Sequence, residues 1–104
     1  MESTPDFKYY LMDGQVICIE DYMDVYPEKK ERIRKLVRQK RIFLGPWYTL
    51  SYMPVVHGET IIRNLLTGIL VSNDFGGVML EGFTPCSNGN IAQLPQIYNG
   101  FGIT

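Results

Sequence analysis

The residues best equipped for chemistry lie in one short stretch, Thr84-Pro85-Cys86-Ser87-Asn88-Gly89-Asn90, which is dense in turn formers. An apolar run, Val78 to Leu80, precedes it, entered from the Gly76-Gly77 breaker. Apolar residues at helical spacing, Ile91, Leu94, Ile97 and Tyr98, follow it. In α/β proteins ligands are handled by loops just past the carboxyl ends of strands, so 84–90 is the first place to look for function. Its reactive group is the Cys86 thiol. A thiolate is both a nucleophile and a metal ligand, and a helix N-terminus lowers its pKa. A single ligand does not hold a zinc ion, which takes about four. A small inert residue is therefore the preferred reading of Cys86.

Other candidates are more scattered. His57 is the only histidine and would serve as a base for Cys86 only if the fold joined them. Nothing in the sequence does so, and a structural role at a helix start is the simpler account. Glu20-Asp21 and Glu81 offer carboxylates for acid/base work, but adjacent carboxylates on a solvated helix end are the plainer account and the preferred one. Trp47 and Tyr48 have flat faces that suit the apolar side of a sugar ring, with core packing as the plainer alternative. Gly76-Gly77 and Asn88-Gly89 lack the spacing of a phosphate loop.

Charge is small overall, −1, but uneven. Residues 28–41 hold eight of the ten basic side chains, from Lys29 to Arg41, against Glu28 and Glu31, giving +6 there and −7 elsewhere. A basic patch can bind nucleic acid. Here no aromatic residues interleave with the charges, so the solvated face of an amphipathic helix is preferred and no nucleic-acid partner is expected.

These residues need elements to hold them. One hundred and four residues suffice for one small domain, burying roughly two thirds of its unfolded surface. Apolar content of 45% with 20% charged residues marks a globular chain. No apolar run reaches the roughly 18 residues of a membrane span, so no membrane partner is expected. The start, MESTPDFKYY, shows no secretory signal, and Cys18 and Cys86 fit no disulfide framework or metal spacing. A reducing cytoplasmic setting is the expectation.

Phe7 to Met12 reads as a strand, and Asp13-Gly14 as a turn. Val16 to Tyr22 fits either a strand or a helix, because so short a run does not separate the periods. Pro27 and Glu28 suit a helix start, Ile33, Leu36 and Val37 its buried stripe, and the helix should end near Lys40. Ile42 to Leu44 follows as a buried strand, then Gly45-Pro46-Trp47-Tyr48 as a loop and 50–56 as a connection. From His57 or Gly58 runs the longest helix, with Ile61, Ile62, Leu65, Leu66, Ile69 and Leu70 as a wide buried stripe. Gly68 interrupts that stripe and costs about 1 kcal/mol against Ala, which close backbone packing would explain. Gly76 should end it. Val78 to Leu80 is the third strand, and 91–98 a short helix with Asn90 as N-cap and Gly100 as its stop. Alternating strand and helix predicts an α/β chain with a partial parallel sheet of about three strands and crossover helices, a piece of a larger domain.

Several runs carry a resemblance in register. DGQVICIEDYMDVYPEKKERIRKLVRQKRIFLGPWY, HGETIIRNLLTG and DFGGVMLEGFTPCSNGNIAQLPQIYNGFGI together resemble the N-terminal catalytic domain of glycoside hydrolase family 38, the α-mannosidases, in its bacterial branch. The likeness covers roughly residues 7 to 103. Gly45 to Tyr48, Gly58-Glu59, Arg63 to Leu66 and Gln93 to Ile103 match the family's pattern in order. The resemblance implies a piece of a seven-stranded β/α barrel-like catalytic domain and favours helix for 16–24. It also implies an α-mannoside substrate and retaining hydrolysis, in which one carboxylate attacks the anomeric carbon and another group protonates the leaving oxygen. A zinc ion would hold sugar hydroxyls.

The same resemblance shows what differs. The position of the family's nucleophilic, zinc-binding Asp is Cys86. The family's acidic pair after the Trp-Tyr loop stands at Tyr52 and Met53, its bulky aromatic at Asn88, and its frequent His at Asn90. The family's His-x-Asp zinc pair belongs before residue 7 and its later zinc His beyond Thr104. Substrate-binding positions carry over to Trp47, Tyr52 and Asn88, with no intact catalytic residue and no metal ligand set. The expectation is a truncated α-mannosidase-like chain, inactive alone and without zinc. The alternative is a small binding or assembly module that uses its sheet edges or the 28–41 helix, by self-association or with a complementing chain.

Overall fold

The computed structural model describes residues 1–85 and 89–104. In chain order the elements are β1 (Tyr10–Leu11), α1 (Ile17–Val25), a 3₁₀ turn (Pro27–Lys29), α2 (Lys30–Arg38) and β2 (Ile42–Phe43). A second 3₁₀ turn (Met53–Val55), α3 (Gly58–Asp74) and α4 (Leu94–Gly100) complete it. β1 and β2 pair in parallel, Tyr10 beside Ile42 and Leu11 beside Phe43. A parallel pair needs a crossover, and α1 and α2 supply it. An isolated bridge from Gln15 to Trp47 carries the pairing past the end of β2.

The ambiguous run after Gly14 is helical. Its start is fixed from outside, because Val16 N–H and Ile17 N–H donate to the Tyr48 carbonyl at 3.2 and 3.0 Å. Val16 and Ile19 are buried and Met23 packs beside them. Pro27 begins the 3₁₀ turn that leads into α2, whose Leu36 and Val37 are buried as expected.

Three expectations need correction. The sheet has two strands among the described residues, not three. Residues 78–80 make one backbone bond next to β2, Met79 N–H to the carbonyl of Leu44 just past its end at 2.8 Å, and Leu80 is exposed. Gly76 and Gly77 follow α3 at φ +118° and +154°. A cleft of about 300 Å³ is lined by Ile42, Phe43, Val78 and Met79. The last helix begins at Leu94 rather than Ile91, with Gln93 as N-cap and Pro95 in its first turn, where a missing N–H costs nothing. Gly100 is its final residue, and Gly102, at φ +69°, turns the chain beyond it. The α3 stripe is half covered. Ile61 and Leu65 are buried, while Ile62, Leu66 and Leu70 are exposed.

Two apolar clusters meet along 44–48. Trp47 belongs to one with Met53, Ile61, Leu65, Leu94 and Ile103. Leu44 belongs to the other with Val16, Ile19, Val37 and Phe75. The segment after β2 therefore joins the two halves of the molecule and places the loop that follows.

Candidate functional site

The aromatic loop after β2 is clamped by α3. Asn64, buried on that helix, accepts from Tyr48 N–H at 2.9 Å and Thr49 N–H at 3.0 Å, and donates to the Thr49 carbonyl at 2.6 Å. Gln15 accepts from Leu50 N–H at 3.2 Å. Gly68 lies directly against the loop backbone. A Cβ there would fall 2.2 Å from the Pro46 carbonyl oxygen and 2.4 Å from both Trp47 C and Tyr48 N. The glycine interrupts the helix so that the loop can lie on it. Sequence reasoning passed over Asn64 and Gln15. The signal for Asn64 was its place on the face of Ile61, Leu65 and Gly68, where a polar side chain must have a partner.

Trp47 is 1% exposed and sits in the core, its ring 5.9 Å from that of Tyr98. Its faces are taken by packing. Tyr48 is half-buried beside α1. Its phenol pKa is pushed up, first by hydrogen bonding to Glu20, then by burial and by the charges of Glu20, Asp21 and Asp24. The Glu20-Asp21 carboxylates thus face a neutral phenol. Glu81 is exposed.

Tyr52 is 49% exposed, whereas Met53 is 5% exposed and packed with Trp47 and Ile61. The turn that holds them meets the far end of the 84–90 loop. A Cβ on Gly89 would lie 3.5 Å from the Pro54 ring. The near end of that loop is fixed by close packing. The Tyr98 ring sits where a Gly82 Cβ would be, and the Phe83 ring presses on Gly14. Gly82 N–H donates to the Thr104 carbonyl at 2.7 Å, and Thr104 N–H to the Leu80 carbonyl at 3.0 Å. Burial raises the Tyr98 pKa, while hydrogen bonding to Trp47 and Thr84 acts the other way. The Tyr98 hydroxyl and Trp47 indole N–H are neighbours without a well-formed hydrogen bond between them. The fold thus gathers Trp47, Tyr52, Tyr98 and the two ends of the loop into one corner. Cys86 and Asn88, expected at the nucleophile and substrate positions, lie outside the described residues.

His57 caps α3, its Nδ1 accepting from Glu59 N–H at 3.2 Å, which accounts for it structurally. Among the described residues no three His, Cys, Asp or Glu side chains gather to hold a metal ion. With Met53 in the core and His57 Nδ1 engaged, the described donors do not fit a zinc centre.

Four of the eight basic side chains of residues 28–41 are engaged within the chain. Lys30 and Arg34 hold Asp74 at 2.8 and 3.2 Å, and Arg34 also donates to the Asp74 carbonyl at 2.9 Å, tying α2 to the end of α3. Arg32 pairs with Glu2. Arg41 donates to the carbonyls of Met1, Phe7 and Lys8. No described helix is long and apolar enough to cross a membrane.

A parallel strand pair joined by a helical crossover, with an aromatic loop after its second strand, is an α/β arrangement. The chain belongs to glycosyl hydrolases family 38, whose N-terminal domain matches residues 1–104. It is 38% identical over 102 residues to a Halalkalibacterium halodurans protein named "Putative mannosylglycerate hydrolase", covering 97% of this chain and 11% of that one. It is 32% identical to α-mannosidase G of Dictyostelium discoideum, covering 99% of this chain and 10% of that one. An Enterococcus faecalis α-mannosidase crystal structure superposes with a TM-score of 0.92 at 35% identity over 98% of this chain and 12% of that one. The chain therefore spans about a tenth of the length of the relatives it matches.

Proposed function

We propose that this chain is one corner of a seven-stranded β/α barrel-like family 38 catalytic domain, and that it does not hydrolyse α-mannosides by itself. A glycosidase needs two groups flanking the scissile bond, and the resemblance implies a zinc clasp besides. The resemblance sets the family's acidic pair at Tyr52 and Met53 and its nucleophile at Cys86. The observation that carries the reading is the burial of Met53. The side chain at an acidic position is a core residue packed on Trp47, and a carboxylate there would be desolvated without a partner. What remains is the scaffold: the loop clamped by Asn64 and the packed ends of 84–90.

The test is turnover of an aryl α-mannoside by the purified chain, with and without added zinc. Background rate in both conditions is expected. Zinc-dependent turnover that Cys86→Ala abolishes would overturn the reading and make Cys86 the working nucleophile. A second reading, a non-catalytic assembly module, is favoured by one observation: β1 and the outer face of α3 expose Tyr10, Leu11, Ile62, Leu66 and Leu70.

A further inference from the structure

We propose that a water molecule is bound inside the protein between the Trp47 indole N–H, the Tyr98 hydroxyl and the Thr84 side chain, where it ties the start of the 84–90 loop to the core. The site is internal and stands apart from the catalytic reading above.

Two orphaned polar atoms point to it. Trp47 Nε1 and Tyr98 Oη are both shielded from solvent, and neither has a hydrogen-bond partner among the described residues. Trp47 itself is buried, so bulk solvent does not reach its indole. Nearly every buried polar group in a folded protein is paired with protein or with ordered water. The side chains of Trp47 and Thr84 both act on the Tyr98 hydroxyl as hydrogen-bonding neighbours, yet neither closes a well-formed bond to it.

Neither ring is free to turn and close the gap. The indole N–H lies in the plane of its ring, and that ring is packed in the cluster of Met53, Ile61, Leu65 and Leu94. The Tyr98 ring fills the space of a missing Gly82 side chain, 2.6 Å from an ideal Cβ there. Its backbone is fixed as well, because the Tyr98 carbonyl accepts from Phe101 N–H at 3.0 Å and from Ile103 N–H at 2.9 Å. The two rings are tilted by 56° with centroids 5.9 Å apart, rather than stacked.

Water suits this set of groups. The indole can only donate, whereas the two hydroxyls donate and accept. A water that accepts from the indole N–H keeps a second lone pair and two protons for the Tyr98 and Thr84 hydroxyls. That makes three partners, the usual number for an internal water. Immobilising it costs less than leaving two shielded polar groups unsatisfied. Folded chains hold roughly one such water per 27 residues, so a chain of 104 has ample allowance for it. Thr84 opens the polar turn and Trp47 sits in the core, so the water links the two through Tyr98.

Trp47 is the one tryptophan, and its indole N–H gives a single nuclear magnetic resonance signal. On the full chain, a water-selective experiment should show a cross-peak from water to that signal. Its sign should be opposite in the laboratory and rotating frames, as a bound water gives. Oxygen-17 relaxation dispersion counts internal waters and does not respond to hydroxyl protons. Its amplitude should fall by the contribution of one water in Tyr98→Phe/Thr84→Val, which leaves the indole as the sole partner. Should that double variant lose its circular dichroism spectrum, Thr84→Val, at a half-buried position, gives the same comparison. Thr84→Ser keeps the hydroxyl and should restore the wild-type amplitude. Absence of the cross-peak overturns the proposal and leaves Trp47 and Tyr98 as a directly bonded pair. Equal oxygen-17 amplitudes in wild type and variant overturn it too, because the cross-peak would then come from an exchanging hydroxyl proton. Neither measurement reads mannoside turnover, so either proposal can fail without the other.

Discussion

Gly68→Ala sets local preference against tertiary packing. In an exposed helix interior the change would add about 1 kcal/mol of stability, because alanine is the better helix former. Here the new methyl would sit 2.2 Å from the Pro46 carbonyl oxygen and 2.4 Å from Trp47 C and Tyr48 N, and all three are backbone atoms. Backbone cannot rotate aside as a long side chain can, so helix and loop must separate. Overpacking a core costs about 1–3 kcal/mol, and rigid neighbours put this site at the upper end. Subtracting the helix gain leaves a net loss of about 2 kcal/mol. For a domain of this size that lowers Tm by roughly 8–16 °C, at about 4–8 °C per kcal/mol. Thermal melts followed by circular dichroism and by fluorescence of Trp47, the one tryptophan, measure it directly. Gly58→Ala, in the same helix with nothing within 4 Å of the added methyl, is the matched control and should hold or raise Tm. A Gly68→Ala protein as stable as the wild type would refute the close approach of α3 to the loop.

Asn64→Leu removes the partner of two backbone N–H groups and one carbonyl. Each buried group left unsatisfied costs about 1–3 kcal/mol, so chemical denaturation should show a loss of about 3 kcal/mol or more, with Trp47 emission shifted as the loop loosens. Asp74 gives a pH dependence of known sign. Hydrogen bonding from Lys30, ahead of the charges of Lys30 and Arg34, lowers its pKa from 3.8. A depressed carboxylate contributes stability that is fully present above its unfolded pKa and is lost as pH falls through the lower folded value. Wild type should therefore exceed Asp74→Asn in Tm at neutral pH, and the gap should close below about pH 4, the ordinary carboxylate range. A gap that stays constant across that range would show that the α2–α3 clamp does not depend on the charge.

Much of the fold was legible because it is written in short-range chemistry. Pro27 with Glu28 opens the α2 segment, and Ile33, Leu36 and Val37 give it a buried side. The Ile61-Leu65 spacing fixes the face of α3 that packs inward. His57 and Glu59 mark that helix start, and the fold uses His57 as its cap. The matching runs from Gly45 to Ile103 carried the family, which the comparison with family 38 shows.

What remained undetermined depended on distant partners. Val16 to Tyr22 reads either way alone; the Tyr48 carbonyl, some thirty residues on, receives its first N–H groups and makes it a helix. Residues 78–80 have strand composition, but a strand exists only where a neighbour supplies a ladder, and they meet one bond, to the Leu44 carbonyl just past β2. Asn64 found its role only where the loop backbone lies against α3 and supplies its hydrogen-bond partners. Trp47 could have shown its ring to a sugar or to the core, and only the packing of Met53, Ile61 and Leu65 around it placed it in the core. Composition and spacing determine which surfaces are apolar and where helices begin. The tertiary structure decides which of those surfaces are covered, because coverage depends on residues far away in the chain.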